Sequence, residues 1–141
     1  MKIVQFEPDH LKSLLLQPSQ SIMQPLLQDP TYGPSLASAG PAYSLVDGDA
    51  VFATAGLIPQ WENRAHAWAL ISAEVGPHMY LLHKAVLRTF TLHNFKRIET
   101  AVDCNFKQGH RWMELLGFER EGCMRKYTPD GRDCDLYARI R

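Results

Sequence analysis

The sequence predicts a single domain of the α/β class over residues 1–141, with a mixed sheet of about six or seven strands flanked by about four helices. Strand-like and helix-like patterns follow one another in the order β-α-α-β-β-β-α-β-α-β-β, without an internal repeat. A length of 141 residues is typical of one domain and is enough to bury a core without metal ions or disulfides. The composition, 45% hydrophobic and 21% charged, is that of an ordinary globular protein.

The first forty residues predict one strand, two helices and a long loop. Residues 2–6 alternate weakly and predict a short strand, after which a helix begins at Pro8. A second helix is predicted over residues 19–28, although Pro25 disturbs its middle because proline has no backbone N–H. Three prolines and two glycines predict a loop over residues 29–41, which is either a binding segment or an ordered connector.

The middle of the chain predicts a hairpin followed by a central strand. Residues 43–46 and 50–57 flank Asp47-Gly48, a turn pair that suits tight reversal because glycine accepts positive φ. Residues 65–72 are almost wholly apolar, as expected of a strand that is covered on both faces.

The rest of the chain predicts two helices and three strands from hydrophobic spacing. These elements are a helix over 78–93, a strand over 97–103, a helix over 106–116, and strands over 118–127 and 133–140. Gly117 suits the left-handed position that ends the second helix. The final strand alternates cleanly, and at a sheet edge it would offer a surface for a homodimer.

The distribution of charge limits the classes of partner. The net charge is zero, which argues against a protein that coats nucleic acid or an anionic membrane. Residues 1–77 hold 3 Lys/Arg and 7 Asp/Glu, whereas residues 78–141 hold 12 and 8. The basic half either receives an anionic ligand or is a solvated surface of mixed charge.

Cysteine and histidine spacing predicts free thiols and no metal site. The three cysteines are Cys104, Cys123 and Cys134, an odd number without C-x-x-C spacing. The six histidines form no zinc-binding motif. No signal peptide and no apolar run of membrane-spanning length is present, so we expect a cytoplasmic protein without a membrane partner.

The C-terminal third carries a resemblance to a known family. Residues 109–122 read GHRWMELLGFEREG, which resembles the segment of GNAT (Gcn5-related N-acetyltransferase) proteins where a helix ends in Leu-Gly-Phe before an acidic residue and a glycine. The continuation, MRKY at 124–127, DGRD at 130–133 and LYAR at 136–139, resembles a branch encoded by tailed phages and prophages.

The GNAT resemblance implies a three-layer fold in which two parallel strands, here 65–73 and 97–103, splay apart to admit acetyl-CoA. Separated strands leave backbone N–H and C=O groups unpaired, and the amides of the pantetheine arm would satisfy them. The pyrophosphate is expected at the N-terminus of the next helix, where the helix dipole favours an anion. The residues that the resemblance places around acetyl-CoA are Ile71, Ser72, Ala73, Val75, Gly76, His78, Met79, Tyr80, Asn105 and Trp112.

Two positions depart from the pattern that is typical of the family. The pyrophosphate turn has one glycine, Gly76, followed by Pro77, where typical members have a second small residue that lets the backbone approach the phosphates. Many members have a tyrosine, which protonates the departing thiolate, four residues before the glycine of Leu-Gly-Phe. Met113 occupies that position and has no proton to donate.

The candidate acids and bases are therefore side chains at other positions. Glu74 or Glu62 is a candidate base near the edge of the splay. Tyr127 and Tyr137 are candidate substitute acids, whereas a capping or solvated role is expected of His110. Glu74 and Tyr127 are the catalytic residues that we predict.

The resemblance implies an N-acetyltransferase that moves an acetyl group from acetyl-CoA directly to an amine of a protein or small molecule. Backbone N–H groups of the first splayed strand would meet the oxyanion. The two departures support a different reading, a catalytically weakened phage module that binds and modulates a host protein. A structural virion component and a nucleic-acid-binding protein are further alternatives, and the sequence does not identify the amine acceptor.

Overall fold

A seven-stranded mixed sheet forms the centre of the computed structural model, which describes residues 1–141. The strands are β1 (Lys2–Gln5), β2 (Ala42–Asp47), β3 (Ala50–Trp61), β4 (Arg64–Ile71), β5 (Arg97–Asp103), β6 (Glu119–Met124) and β7 (Cys134–Ile140). Their order in the sheet is β1-β2-β3-β4-β5-β7-β6. Only the β4–β5 pair is parallel, and every other neighbouring pair is antiparallel.

Three α-helices and three 3-10 segments flank the sheet. The α-helices are α1 (Tyr32–Ala39), α2 (Met79–Leu92) and α3 (Lys107–Leu115), and the 3-10 segments are Pro8–Leu11, Pro18–Gln28 and Gly76–His78. None of the helices is long and apolar enough to cross a membrane.

The early helices differ from the prediction in type and place. Both predicted segments are 3-10 rather than α-helical, and each begins at a proline. The loop predicted over 29–41 is wrong, because it contains α1. Pro34 falls in the first turn of α1, where a missing N–H costs nothing. A Cβ on Gly33 would meet Pro8 Cβ at 2.9 Å, so this glycine serves close packing rather than a loop.

The strands follow the predicted order with shifted ends. β3 extends to Trp61, past an irregularity in register at Pro59, and β6 stops at Met124. The predicted Asp47-Gly48 turn is confirmed, with Gly48 at φ 59°. β7 pairs with β5 on one side and β6 on the other. A homodimer through the final strand is therefore ruled out, since that strand has no free edge.

Helices cover both faces of the sheet, which gives the predicted three layers. On the side that we call the helical face, α2 and α3 pack against alternate strand residues such as Ala65, Ile98 and Tyr137. On the opposite face, the first two 3-10 segments and α1 pack around Leu70 and Phe6. Alternate residues of β4 therefore belong to different cores, as the period of a strand requires.

Candidate active site

The two parallel strands in the middle of the sheet separate partway along their length. β4 and β5 are in register only at Arg64–Arg97, Ala65–Ile98 and His66–Glu99. At the next position the Thr100 hydroxyl donates to the Ala67 carbonyl over 3.0 Å, so a side chain bridges a gap that a backbone bond would otherwise span. The predicted splayed pair is confirmed, and it opens at Ala67 and Thr100.

Beyond this point, the edge of β4 that no longer pairs with β5 is hydrogen-bonded to a side-chain carboxamide. Gln20, in the second 3-10 segment, donates its Nε2 to the Ala69 carbonyl (2.6 Å) and accepts the Ile71 N–H at its Oε1 (2.9 Å). The side-chain amide thus makes the two hydrogen bonds that a peptide group makes on a strand edge. The backbone groups of Ala69 and Ile71 on this edge of β4 are therefore satisfied by a side-chain amide of the same chain.

The N-terminal segment also reaches the last residues of β4. Gln17 donates its backbone N–H to the Ile71 carbonyl, and Ala73 donates to the Leu15 carbonyl, both over 2.9 Å. On the other side, Ser72 donates to the Phe52 carbonyl of β3. Ile71, Ser72 and Ala73, predicted to contact acetyl-CoA, therefore have much of their backbone hydrogen bonding satisfied within the chain.

The turn between β4 and α2 is compact and mostly self-bonded. Val75 and His78 donate backbone N–H groups to the Ser72 and Val75 carbonyls, and Gly76 begins a 3-10 turn that leads into α2. A Cβ on Gly76 would meet no atom within 4 Å, so the space beside this glycine is open. The predicted phosphate position therefore lies at an exposed turn before a 14-residue helix.

The other predicted residues of this turn divide between core and surface. Met79 packs against the core beneath α2, so its side chain does not obstruct the turn. The His78 ring packs against Phe52, with 4.5 Å between ring centroids. Tyr80 is 71% exposed, and the Lys84 ammonium lies over its ring.

Asn105 and Trp112 lie on the β5 side of the splay. Asn105 is exposed, and its backbone N–H bonds to the Asp103 carboxylate over 2.9 Å. Trp112 joins the two long helices, because its Nε1 donates to His83 Nδ1 of α2 over 3.1 Å. Met113 beside it is buried in the core of the helical face.

A groove of about 580 Å³ lies beside the splay on the face opposite α2 and α3. Its walls come from β4, β5, β7 and the chain around β6. We call it the charged groove, and its lining residues are Trp61, Arg64, His66, Arg97, Glu99, Ala101, Met124, Tyr127 and Leu136.

An ion-pair network forms the floor of the charged groove. Glu99 is only 8% exposed. One of its carboxylate oxygens accepts a hydrogen bond from Arg64 Nε (3.0 Å), and the other accepts one from Arg97 Nε (2.8 Å). Arg97 also pairs with Glu121 at 2.6 Å. The hydrogen bond from Arg64 is the main reason that the pKa of Glu99 is lowered. Glu99 is therefore an ionised carboxylate whose charge two arginines already neutralise.

His66 is a candidate functional residue that sequence reasoning missed. It lies at the last paired position of β4, next to the opening, and its side chain lines the charged groove. Burial is the main cause that lowers the pKa of its imidazole from 6.5. A neutral imidazole at pH 7 accepts a proton. The signal was present in the sequence, because His66 is the one ionisable side chain in the apolar run 65–72.

The structure separates the predicted acids and bases. Tyr127 lines the charged groove and is 52% exposed. Glu74 lies on the exposed turn and Glu62 on the exposed β3–β4 turn, and neither lines the groove. Tyr137 is buried in the core, where its hydroxyl bonds to His110 Nδ1 over 2.7 Å. His110 therefore connects α3 to β7.

Two cysteines and an aspartate form the one cluster of side chains whose residue types can bind a metal ion. Ligand atoms of Cys104, Cys123 and Asp135 all lie within 4.8 Å of one another. The Arg120 guanidinium pairs with the Asp135 carboxylate through two N–O contacts of 2.9 and 3.1 Å. Burial, with a further contribution from Asp135, raises the pKa of the Cys104 thiol to about 12. Arg120 already balances the charge of Asp135, and the Cys104 thiol is protonated. We therefore assign this cluster no metal.

Comparison with solved structures identifies the architecture. The aminoglycoside 6'-acetyltransferase type Ii superposes with a TM-score of 0.75 at 16% identity, over 99% of this chain and 97% of that one. A chimera of the spermidine N-acetyltransferase SpeG from Vibrio cholerae and hSSAT gives 0.72 at 18% identity, over 99% and 96%. A GNAT-family acetyltransferase from Bacillus anthracis gives 0.70 at 15% identity, over 98% and 93%.

The fold is that of the GNAT N-acetyltransferases, as the sequence resemblance implied. No family model matches the chain, and no curated protein matches it in sequence. At these identities the likeness establishes the fold, and the chemistry has to be argued from the residues at the splay.

Proposed function

We propose that the chain is an acyl-CoA-dependent N-acetyltransferase that moves an acetyl group directly from acetyl-CoA to an amine. One observation carries the proposal: a parallel strand pair separates after three residue pairs, and the freed edge of β4 binds a carboxamide. The pantetheine arm contains two secondary amides, which are the chemical match for such an edge. The fold supports the same reading.

Gln20 acts in this proposal as an internal stand-in for an amide of the arm. When its side chain swings away, the Ile71 N–H and the Ala69 carbonyl are free to bond to the ligand instead. The exchange replaces one amide by another, so its net cost in hydrogen bonding is small. Leu15 and Gln17 remain on the edge, because the neighbouring Leu14 and Leu16 are buried.

The cofactor's pyrophosphate would lie at the turn that holds Val75, Gly76, His78, Met79 and Tyr80. The positive end of the α2 dipole and the open space beside Gly76 favour an anion there. On the β5 side, Asn105 and Trp112 would border the arm. Bound acetyl-CoA supplies an activated acyl group, and the protein supplies position and proton transfer.

The charged groove is where we propose that the amine acceptor binds. His66, neutral at pH 7, takes the proton that the amine loses during attack. Tyr127 on the groove wall is the proposed proton donor, in place of the tyrosine that Met113 replaces. Glu74 stays an alternative base that would act through water. Because Arg64 and Arg97 neutralise Glu99, the groove does not select strongly for a polycation.

A second function has an observation of its own in its favour. Gln20, Gln17 and Leu15 together occupy the β4 edge at Ala69, Ile71 and Ala73. If that closure is permanent, the chain is a catalytically weakened module of phage origin that binds and modulates a protein in the host cytoplasm. Affinity for acetyl-CoA separates the two functions.

The test is calorimetric titration of the purified protein with acetyl-CoA and with free CoA. We expect micromolar binding that weakens about tenfold or more in Gly76→Leu. A Cβ at Gly76 would meet no atom within 4 Å and the residue is not in the left-handed region, so we expect this variant to fold and its binding to report on the ligand site. Absence of binding at millimolar acetyl-CoA would contradict the acetyltransferase and favour the partner-binding module.

A further inference from the structure

An apolar cavity lies between the helical face of the sheet and α2. Its volume is about 80 Å³, and 17 of its 21 lining residues are hydrophobic. Five alanines contribute to the walls, Ala53 and Ala55 on β3, Ala67 and Ala69 on β4, and Ala85 on α2, and larger apolar side chains make up most of the rest. We call this space the alanine cavity. Apolar cavities of this kind stay dry and receive apolar groups.

The alanine cavity is a consequence of residue size at paired positions. Ala55 is the cross-strand partner of Ala69, and Ala85 of α2 faces the same space. Protein interiors normally fill such layers with interdigitated larger side chains. Here alanine on both strands and on the helix leaves the layer under-filled, so the void follows from this sequence.

The cavity is continuous with the opening between the strands. Ala67 and Thr100, which flank the point where β4 and β5 separate, both line it. From there it runs beneath α2 as far as Leu45 on β2, two strand spacings or roughly 10 Å from β4. A group attached to a ligand in the splay can therefore extend under α2 without crossing the sheet.

We propose that the alanine cavity receives the hydrocarbon tail of an acyl thioester longer than acetyl. This inference rests on the proposed function, because it needs acyl-CoA to bind in the splay. A cavity of about 150 Å³ holds a benzene ring, so this one has room for about three carbon atoms. The preferred donor class is therefore a short straight-chain acyl-CoA of about four or five carbons.

The experiment compares the dissociation constants of acetyl-, butyryl-, hexanoyl- and octanoyl-CoA by calorimetry. Burial of two further methylene groups lowers the Kd of butyryl-CoA about tenfold relative to acetyl-CoA. The gain stops or reverses by octanoyl-CoA, which exceeds the volume. Acetyl-CoA binding with no gain for butyryl-CoA overturns this inference alone, whereas failure of every thioester to bind overturns the proposed function with it.

Three variants separate the cavity from general hydrophobic attraction. Ala55→Ile fills the cavity from β3 and Ala85→Leu fills it from α2, and each abolishes the butyryl gain while acetyl-CoA binding stays within twofold. Ala50→Ile is the matched control, because Ala50 is exposed on the same strand and does not line the cavity. It keeps the gain. A butyryl gain that survives in both filled variants overturns the assignment of the tail to this cavity.

Discussion

The two faces of the sheet at the splay are chemically opposite. On the helical face, alanines of β3, β4 and α2 contribute to the walls of a small apolar cavity. On the other face, Arg64, His66, Arg97 and Glu99 line an open groove. The strand residues of both sets alternate between the faces, so a step of one residue along β4 changes the environment from apolar to charged. Under the proposed function, the acyl tail of the donor and the amine acceptor would lie on opposite faces of one pair of separated strands.

The largest effect is expected from removal of the His66 side chain, which tests the role of the charged groove. His66→Ala should lower kcat about 100-fold or more with an identified amine acceptor, since a positioned base contributes at least that much. The base must be neutral, and burial lowers the pKa of His66 below 6.5. In the native protein the pH–rate profile therefore has one rise through a pKa below 6.5 from His66, separate from the rise that deprotonation of the amine acceptor causes near its own pKa of about 10.

Glu74→Gln tests the alternative base, which is exposed and lies outside the charged groove. If His66 is the base, this variant should leave both kcat and the pH profile unchanged. A large loss in Glu74→Gln with little loss in His66→Ala would transfer the role of base to Glu74.

Displacement of Gln20 tests whether the β4 edge is the donor site. Gln20→Ala should tighten acetyl-CoA binding about tenfold, because the ligand no longer competes with an internal amide for Ala69 and Ile71. Gln28→Ala, an exposed glutamine of the same 3-10 segment, is the matched control and should leave the Kd unchanged. Weaker binding in Gln20→Ala would mean that Gln20 holds the ligand rather than competing with it.

The ion pairs of the charged groove should have a moderate effect on stability. Glu99→Gln leaves two partly buried arginines without their shared partner and should cost about 2 kcal/mol in urea unfolding. Glu121→Gln removes a more exposed carboxylate that pairs with Arg97 alone and should cost less than about 1 kcal/mol. Equal costs would show that burial of Glu99 does not distinguish the two pairs.

The link between α2 and α3 should have the smallest effect. Trp112→Phe keeps the aromatic packing but removes the hydrogen bond to His83, with an expected cost of about 1 kcal/mol in the same unfolding assay. Leu115→Ala on the exposed side of α3 is the control and should change stability by less than that. A loss above about 3 kcal/mol in Trp112→Phe would mean that the bond holds the two helices together.

The sequence predicted those parts of the molecule that depend on local patterns. Helical spacing located α2 and α3, and a turn pair located the β2–β3 hairpin. The pattern failed at α1, where small residues with Gly33 and Pro34 resemble a loop and only packing against Pro8 explains the glycine. Local composition does not report a contact of that kind.

The candidate site was predictable in outline and not in its particulars. The strand order and the Leu-Gly-Phe segment implied a splay between β4 and β5. The contact between Gln20 and β4 joins residues about fifty positions apart, and no spacing rule indicates that a glutamine will imitate a backbone amide. His66 was visible as an ionisable residue in an apolar strand, but only the register shows that it lies where the strands part.

The most direct test of the donor site is a two-dimensional amide NMR titration of the labelled protein with acetyl-CoA. We expect the Ile71 backbone N–H and the Gln20 side-chain NH₂ to shift together, because the ligand displaces one from the other. Amides of the Gly76 turn should shift in the same concentration range. Shifts confined to surfaces away from β4, or none at millimolar acetyl-CoA, would contradict the account.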